Sequence, residues 1–172
     1  KSAFPDLKTY FIKNKRYQST NDIYSLYLAR SKLTNDTVLL DSDVLFSPKI
    51  LHKLLSAKKT VIALRRGTVG EEEMKISLHK NGTVKQLSKK LGPTSSVGEF
   101  MGISIFRKDF LTHLVSALKN QIKQGGVTLD REIAIEKILH KKPLLAVDIT
   151  KYPSIEIDFP NDLRRAENII LP

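Results

Sequence analysis

Apolar and polar positions along this chain alternate in two periods, and the changes of period mark out a series of elements. "LKTYFI" (7–12) has the β-rich composition of a strand. "STNDIYSLYLARSKL" (19–33) reads as a helix, with Ser19, Thr20 or Asn21 available to cap it. "DTVLLD" (36–41) is a short apolar run suited to a buried parallel strand, and "TVIALR" (60–65) is another. Between them "SPKILHKLLSA" (47–57) predicts a helix with Ser47 as cap and Pro48 at its first position. "MKISLHKNGTVKQLSKK" (74–90) alternates on both sides of Asn81-Gly82 and predicts a β-hairpin. The glycine-punctuated "SVGEFMGISIF" (96–106) predicts a strand, and residues 107–126 an amphipathic helix that stops at glycines. A helix over 129–142, a strand over 143–149 and a short strand running into a helix over 154–170 complete the series. Strands alternating with helices, plus one hairpin, predict a single α/β domain. Its sheet would be open at its edges, with flanking helices and an inserted hairpin.

Composition narrows the classes. The 172 residues are enough for one domain with a real core, and 41% hydrophobic with 27% charged residues is ordinary for a globular protein. No apolar run approaches the roughly 20 residues of a membrane span. The opening "KSAFPDLKTY" has no signal-peptide pattern. Cysteine is absent, which removes disulfides, thiolate zinc and a cysteine nucleophile, and the cytoplasm is the expected compartment. The formal charge of +11 favours acidic partners. Dispersed lysines and only 7% aromatic residues argue against a dedicated nucleic-acid binder, so phosphorylated small molecules are the expected ligands. The chain opens on lysine, close to a predicted strand, and is expected to be part of a longer protein.

Two acidic elements carry the candidate chemistry. Asp41 and Asp43 in "LLDSDVLF" follow an apolar strand, where open α/β sheets bind their ligands. An aspartate there can end a strand, or it can hold a hard cation against a nucleotide's phosphates. Glu156 and Asp158 in "IEID" lie on one face of a short strand far along the chain, and the two strand ends could converge on one ion. An Asp-x-Asp after a strand also suits a metal-dependent glycosyltransferase, and a noncatalytic basic binding module is the third reading. The four histidines show no ligand spacing and are expected on the surface or in ordinary packing. "RRGTVGEEEMK" (65–75) lacks the Walker pattern and reads as a loop, from which Arg65 or Arg66 could touch a phosphate.

"NDTVLLDSDVLFSPKILHKLL", "GEFMGISIF" and "IEIDFPNDLRRAE", in this order and spacing, resemble the sugar-phosphate-type nucleotidyltransferases. The bacterial choline-phosphate cytidylyltransferase-like branch resembles the chain most, with a counterpart of "STNDIYSLYLA" as well. The resemblance implies a Rossmann-like open mixed sheet and Mg²⁺-dependent transfer of a nucleotidyl group from an NTP, CTP being favoured, to a phosphate- or phosphonate-bearing small molecule. By similarity Asp43 and Asp158 would be the catalytic metal ligands, with Asp41 beside them. Asn21 and Ser25 would lie near the nucleotide. Glu99 and Lys89 would face the acceptor, Glu99 toward a cationic group and Lys89 toward a phosphate. Gly98 and Gly102 would let substrate approach the backbone. The glycine-rich loop with an arginine that opens these enzymes has no counterpart here. The resemblance therefore implies a missing N-terminal segment, or a partner chain that supplies its strands, and an isolated chain without activity.

Overall fold

A computed structural model describes residues 6–169. Among these residues eight strands occur in chain order: β1 (Thr37–Leu40), β2 (Val44–Phe46), β3 (Val61–Arg66), β4 (Lys75–Leu78), β5 (Val84–Leu87), β6 (Gly98–Phe106), β7 (Leu145–Asp148) and β8 (Ser154–Glu156). The α-helices are α1 (Asp22–Ala29), α2 (Pro48–Ser56), α3 (Lys108–Lys123), α4 (Glu132–Glu136) and α5 (Pro160–Glu167). The main sheet runs β5-β4-β6-β3-β7, with β1 also paired to β6. It is mixed, since β3 and β7 are parallel whereas β6 runs antiparallel to β1, β3 and β4. β2 and β8 form a separate antiparallel ribbon.

β6 is the axis of the fold. All nine of its residues are buried, with β3 along one side and β4 and β1 sharing the other. Its two faces feed two cores. Ile62, Leu64, Phe100 and Phe106 pack with α1, α3 and α4, whereas Val61, Ala63, Met101, Ile103 and Ile105 pack beneath Ile50 and Leu54 of α2. Helix α2 forms as the sequence predicts: Ser47 Oγ accepts from Lys49 N–H, Pro48 fits the first turn, and Ile50 and Leu54 recur one turn apart on the buried face. Burying a leucine such as Leu54 stabilises the fold by roughly 1.5–3 kcal/mol. The hairpin is also present, with Gly82 at φ +81° in its turn and Asn81 Oδ1 accepting from Thr83 N–H and Oγ1–H.

Three expectations need correction, and one strand is added. Residues 7–12 form no strand: no strand pairs with them among the described residues, and Leu7, Tyr10, Phe11 and Ile12 are exposed. β-prone composition becomes a strand only beside a partner. β1 is antiparallel rather than parallel and is bordered only by β6 among the described residues, which leaves Val38 and Leu40 exposed. The helix expected over 129–142 is α-helical only from Glu132 to Glu136 and continues as turns. The segment 44–46, not assigned from the sequence, is a strand because it pairs with β8. Residue 170, at the end of the last predicted helix, lies outside the described residues.

Candidate active site

The β2–β8 ribbon explains how acids far apart in sequence meet. Val44 pairs with Glu156, and the ladder extends one step further as Ile157 N–H donates to Asp43 C=O at 2.9 Å. Asp43 thus enters β2 where Asp158 leaves β8. A carboxylate oxygen from each of Asp43, Glu156 and Asp158 lies within 4.8 Å of the other two. Asp158 is fixed from behind: the Asp162 carboxylate accepts from the N–H groups of Asp158 (3.3 Å) and Phe159 (2.9 Å), capping α5. Arg165 pairs with the same carboxylate.

The cost of this convergence appears in protonation. Burial, then the charges of Asp158 and Asp43, pushes Glu156 up to about 7. Burial and Asp43 raise Asp158 as well. A divalent cation would offset that repulsion. Three oxygen donors match the hard ions Mg²⁺ and Ca²⁺, so the residues fit the cation that the resemblance implied.

These acids open onto a cleft of ≈1280 Å³ that also receives Asn21, Asp41, Arg65, Lys89, Glu99 and Arg131. Eleven carboxylates and four basic side chains line it, against an overall charge of +11. A cation would ease the entry of a polyphosphate into so acidic a cleft.

Behind the turn of Asp41 to Asp43 stands Arg131. Its Nη1 donates to Asp22 Oδ2 at 2.9 Å and its Nη2 to Asp41 Oδ2 at 2.5 Å, while Nε lies 3.1 Å from Glu132 Oε1. Its guanidinium also sits 5.8 Å from the centre of the Phe100 ring. Burial opposes the charge on Arg131, but Glu132, Asp41 and Asp22 outweigh it and hold the group protonated. One guanidinium cannot fully compensate three carboxylates. Burial therefore pushes Glu132 up to about 7, and it raises Asp22 despite Arg131.

The residues expected from the sequence divide into two sets. Asn21, Asp41, Asp43, Lys89, Glu99 and Asp158 line the cleft together, whereas Ser25, Gly98 and Gly102 are not among its lining residues. Asn21 caps α1, accepting from Asp22 N–H, and its Nδ2 reaches Asp130 Oδ1 at 2.8 Å. Ser25 Oγ accepts from Asn14 Nδ2 at 3.1 Å. Glu99 lies opposite Arg65 in the β3–β6 register and is ion-paired with it, so a cationic ligand would compete with Arg65. Burial still raises Glu99. Lys89 stands 3.9 Å from Glu72, and its carbonyl accepts from the buried Lys75 Nζ at 2.8 Å. Both glycines are held by the fold. A Cβ on Gly98 would lie 2.1 Å from Arg65 O, and one on Gly102 would lie 2.6 Å from Asp41 Oδ2.

Arg131, Glu132, Asp22 and Asp162 were not singled out from the sequence. Asp162 carried a signal, an acid in the first turn after Pro160. The Asp22–Arg131 pair spans 109 positions and carried none.

No family model matches the chain, and no curated protein matches it in sequence. Solved structures do match. The CTP:phosphocholine cytidylyltransferase of Streptococcus pneumoniae superposes with a TM-score of 0.71 at 19% identity, covering 90% of this chain and 65% of its own. The fold is that of the nucleotidyltransferases. The inositol-1-phosphate CTP transferase of T. maritima (TM-score 0.69, 19% identity, 90% of this chain and 62% of its own) has the same fold. So does a UDP-glucose pyrophosphorylase complexed with UDP-glucose (TM-score 0.68, 13% identity, 89% and 62%). The nucleotidyltransferase-fold chain described here therefore spans somewhat less than two thirds of the length of these three structures. Among its described residues no helix is long and apolar enough to cross a membrane.

Proposed function

We propose that this protein binds a nucleoside triphosphate in the cleft and transfers its nucleotidyl group, with Mg²⁺, to a phosphate- or phosphonate-bearing small molecule. The observation that carries the reading is the convergence of Asp43, Glu156 and Asp158, in a fold shared with nucleotidyltransferases. An oxygen of the acceptor's phosphate attacks the α-phosphorus in line. The new O–P bond forms as the bond to the β-phosphate oxygen breaks, and pyrophosphate leaves with that electron pair. Such chemistry needs alignment and charge neutralisation more than a covalent nucleophile. Asp43, Glu156 and Asp158 would hold Mg²⁺, which would supply part of that neutralisation. Lys89 lies on the cleft wall, where it can meet a phosphate. CTP is the favoured donor, supported by two solved structures of this fold whose names specify CTP. The reading puts the protein in the cytoplasm with its nucleotide.

The glycosyltransferase alternative draws less support. It would use both acids of Asp41-Ser42-Asp43 at the metal, but Asp41 is ion-paired with Arg131, and the carboxylates that meet Asp43 are Glu156 on β8 and Asp158 just beyond it.

Calorimetric titration of CTP, UTP, ATP and GTP with Mg²⁺ or with EDTA tests the proposal. Mg²⁺-dependent binding, strongest for CTP and abolished by Asp43→Asn, is expected. Metal-independent binding that weakens steeply with salt and ignores Asp43→Asn would replace it with the basic binding module.

A further inference from the structure

We infer that Arg131 is a positioning residue for the metal-binding turn and acts on Asp43 through Asp41. The inference rests on the reading of Asp43, Glu156 and Asp158 as a cation site. Asp41 closes β1, and its N–H donates to Gly102 C=O at 2.9 Å on β6. Its carboxylate lies over the bare Cα of Gly102, where a Cβ would come within 2.6 Å of Oδ2 and 2.9 Å of Cβ. Gly102 at φ +65° thus leaves the space that the carboxylate occupies, and Arg131 Nη2 takes the same Oδ2 at 2.5 Å. Asp41 is therefore fixed at its backbone and at its carboxylate, and Asp43 is two residues further along an exposed turn.

Arg131 is itself fixed. Its backbone N–H donates to Asp22 Oδ1 and its Nη1 to Asp22 Oδ2, both at 2.9 Å, so α1 holds both ends of the residue. The planar fork lets one side chain tie α1, the end of β1 and the start of α4 together, which a lysine's point charge cannot reproduce. Partners that orient metal ligands typically change metal affinity 10- to 100-fold when removed.

Coulomb's law makes the test a matter of sign. Removing a positive charge beside an acidic cleft should strengthen cation binding if charge alone matters. Positioning requires the opposite. The probe is Mn²⁺ alone, with the free ion followed by electron paramagnetic resonance and the fold followed by circular dichroism. Arg131→Met is expected to bind Mn²⁺ about 10- to 100-fold more weakly than the wild type. Gly102→Ala changes no charge but displaces the Asp41 carboxylate. It is expected to weaken Mn²⁺ binding in the same direction, and it carries the test if Arg131→Met does not fold. Equal or tighter binding by a folded variant overturns the positioning role and leaves the cation site standing. A wild type that does not bind Mn²⁺ overturns the cation site, and the positioning role with it.

Discussion

Gly98→Ala and Gly102→Ala should differ sharply, because the groups they strike differ. At Gly98 the new methyl would meet backbone: Arg65 O at 2.1 Å, Arg66 Cα at 2.8 Å and Arg65 C at 2.9 Å, in the register where β6 pairs with Arg66. Nothing there can rotate away, so β3 and β6 must separate beside the Arg65–Glu99 pair. The backbone at φ +153° adds strain of about 1–3 kcal/mol for a residue with a Cβ. Overpacking adds about 1–3 kcal/mol more. The sum, about 2–6 kcal/mol, is a large share of the 5–15 kcal/mol typical of a folded domain. At Gly102 the methyl meets the Asp41 side chain rather than sheet backbone, with Oδ2 at 2.6 Å and Cβ and Cγ at 2.9 Å, so Asp41 must give up its hold on Arg131 while β3 and β6 stay paired, and φ +65° contributes about 1–2 kcal/mol. Urea unfolding followed by circular dichroism measures both. With a slope of about 2 kcal/mol/M, Gly98→Ala should lower the midpoint by about 1–3 M and Gly102→Ala by less than about 1 M. If Gly98→Ala keeps the wild-type midpoint and only ligand binding suffers, the glycine serves substrate approach and the packing argument is wrong.

Two further predictions concern charge and capping. Burial raises Glu132 from its ordinary 4.5 to about 7, so the folded protein holds a proton there that the unfolded chain has released. Its stability contribution is complete below pH 4.5 and is lost as pH rises through about 7, by at most about 3 kcal/mol. Unfolding free energies of the wild type minus those of Glu132→Gln should fall across that window, and a constant difference would contradict the assignment. Asp162→Ala removes the acceptor that caps α5 and fixes Asp158 N–H, and should cost about 1 kcal/mol, or about 2–4 °C in thermal midpoint. An unchanged midpoint would mean that the cap is idle.

What could be read from the sequence follows the range of the forces involved. Local signals placed α2, the hairpin turn at Asn81-Gly82 and the glycine-punctuated β6 close to their observed limits, because caps, turns and periodicity act within a few residues. Residues 7–12 show the opposite case. Their composition is that of a strand, but strand formation depends on a neighbour, and no strand pairs with them among the described residues. The same dependence hid β2, which is a strand only because β8 runs beside it. Of the site, Asp43, Glu156 and Asp158 were visible as acids at strand ends. The Arg131 cluster was not, since Asp22, Asp41 and Arg131 meet only once α1, β1 and the segment before α4 are packed. The glycines were visible as glycines, but the neighbours that a Cβ would strike, Arg65 and Asp41, were not.

The most direct test of the account is anomalous diffraction from crystals of the protein soaked in Mn²⁺ with CTP. The account predicts a manganese peak about 2.1 Å from carboxylate oxygens of Asp43, Glu156 and Asp158, with the triphosphate completing its shell. A peak coordinated by Asp41 instead, or bound nucleotide with no metal at these three residues, would contradict it.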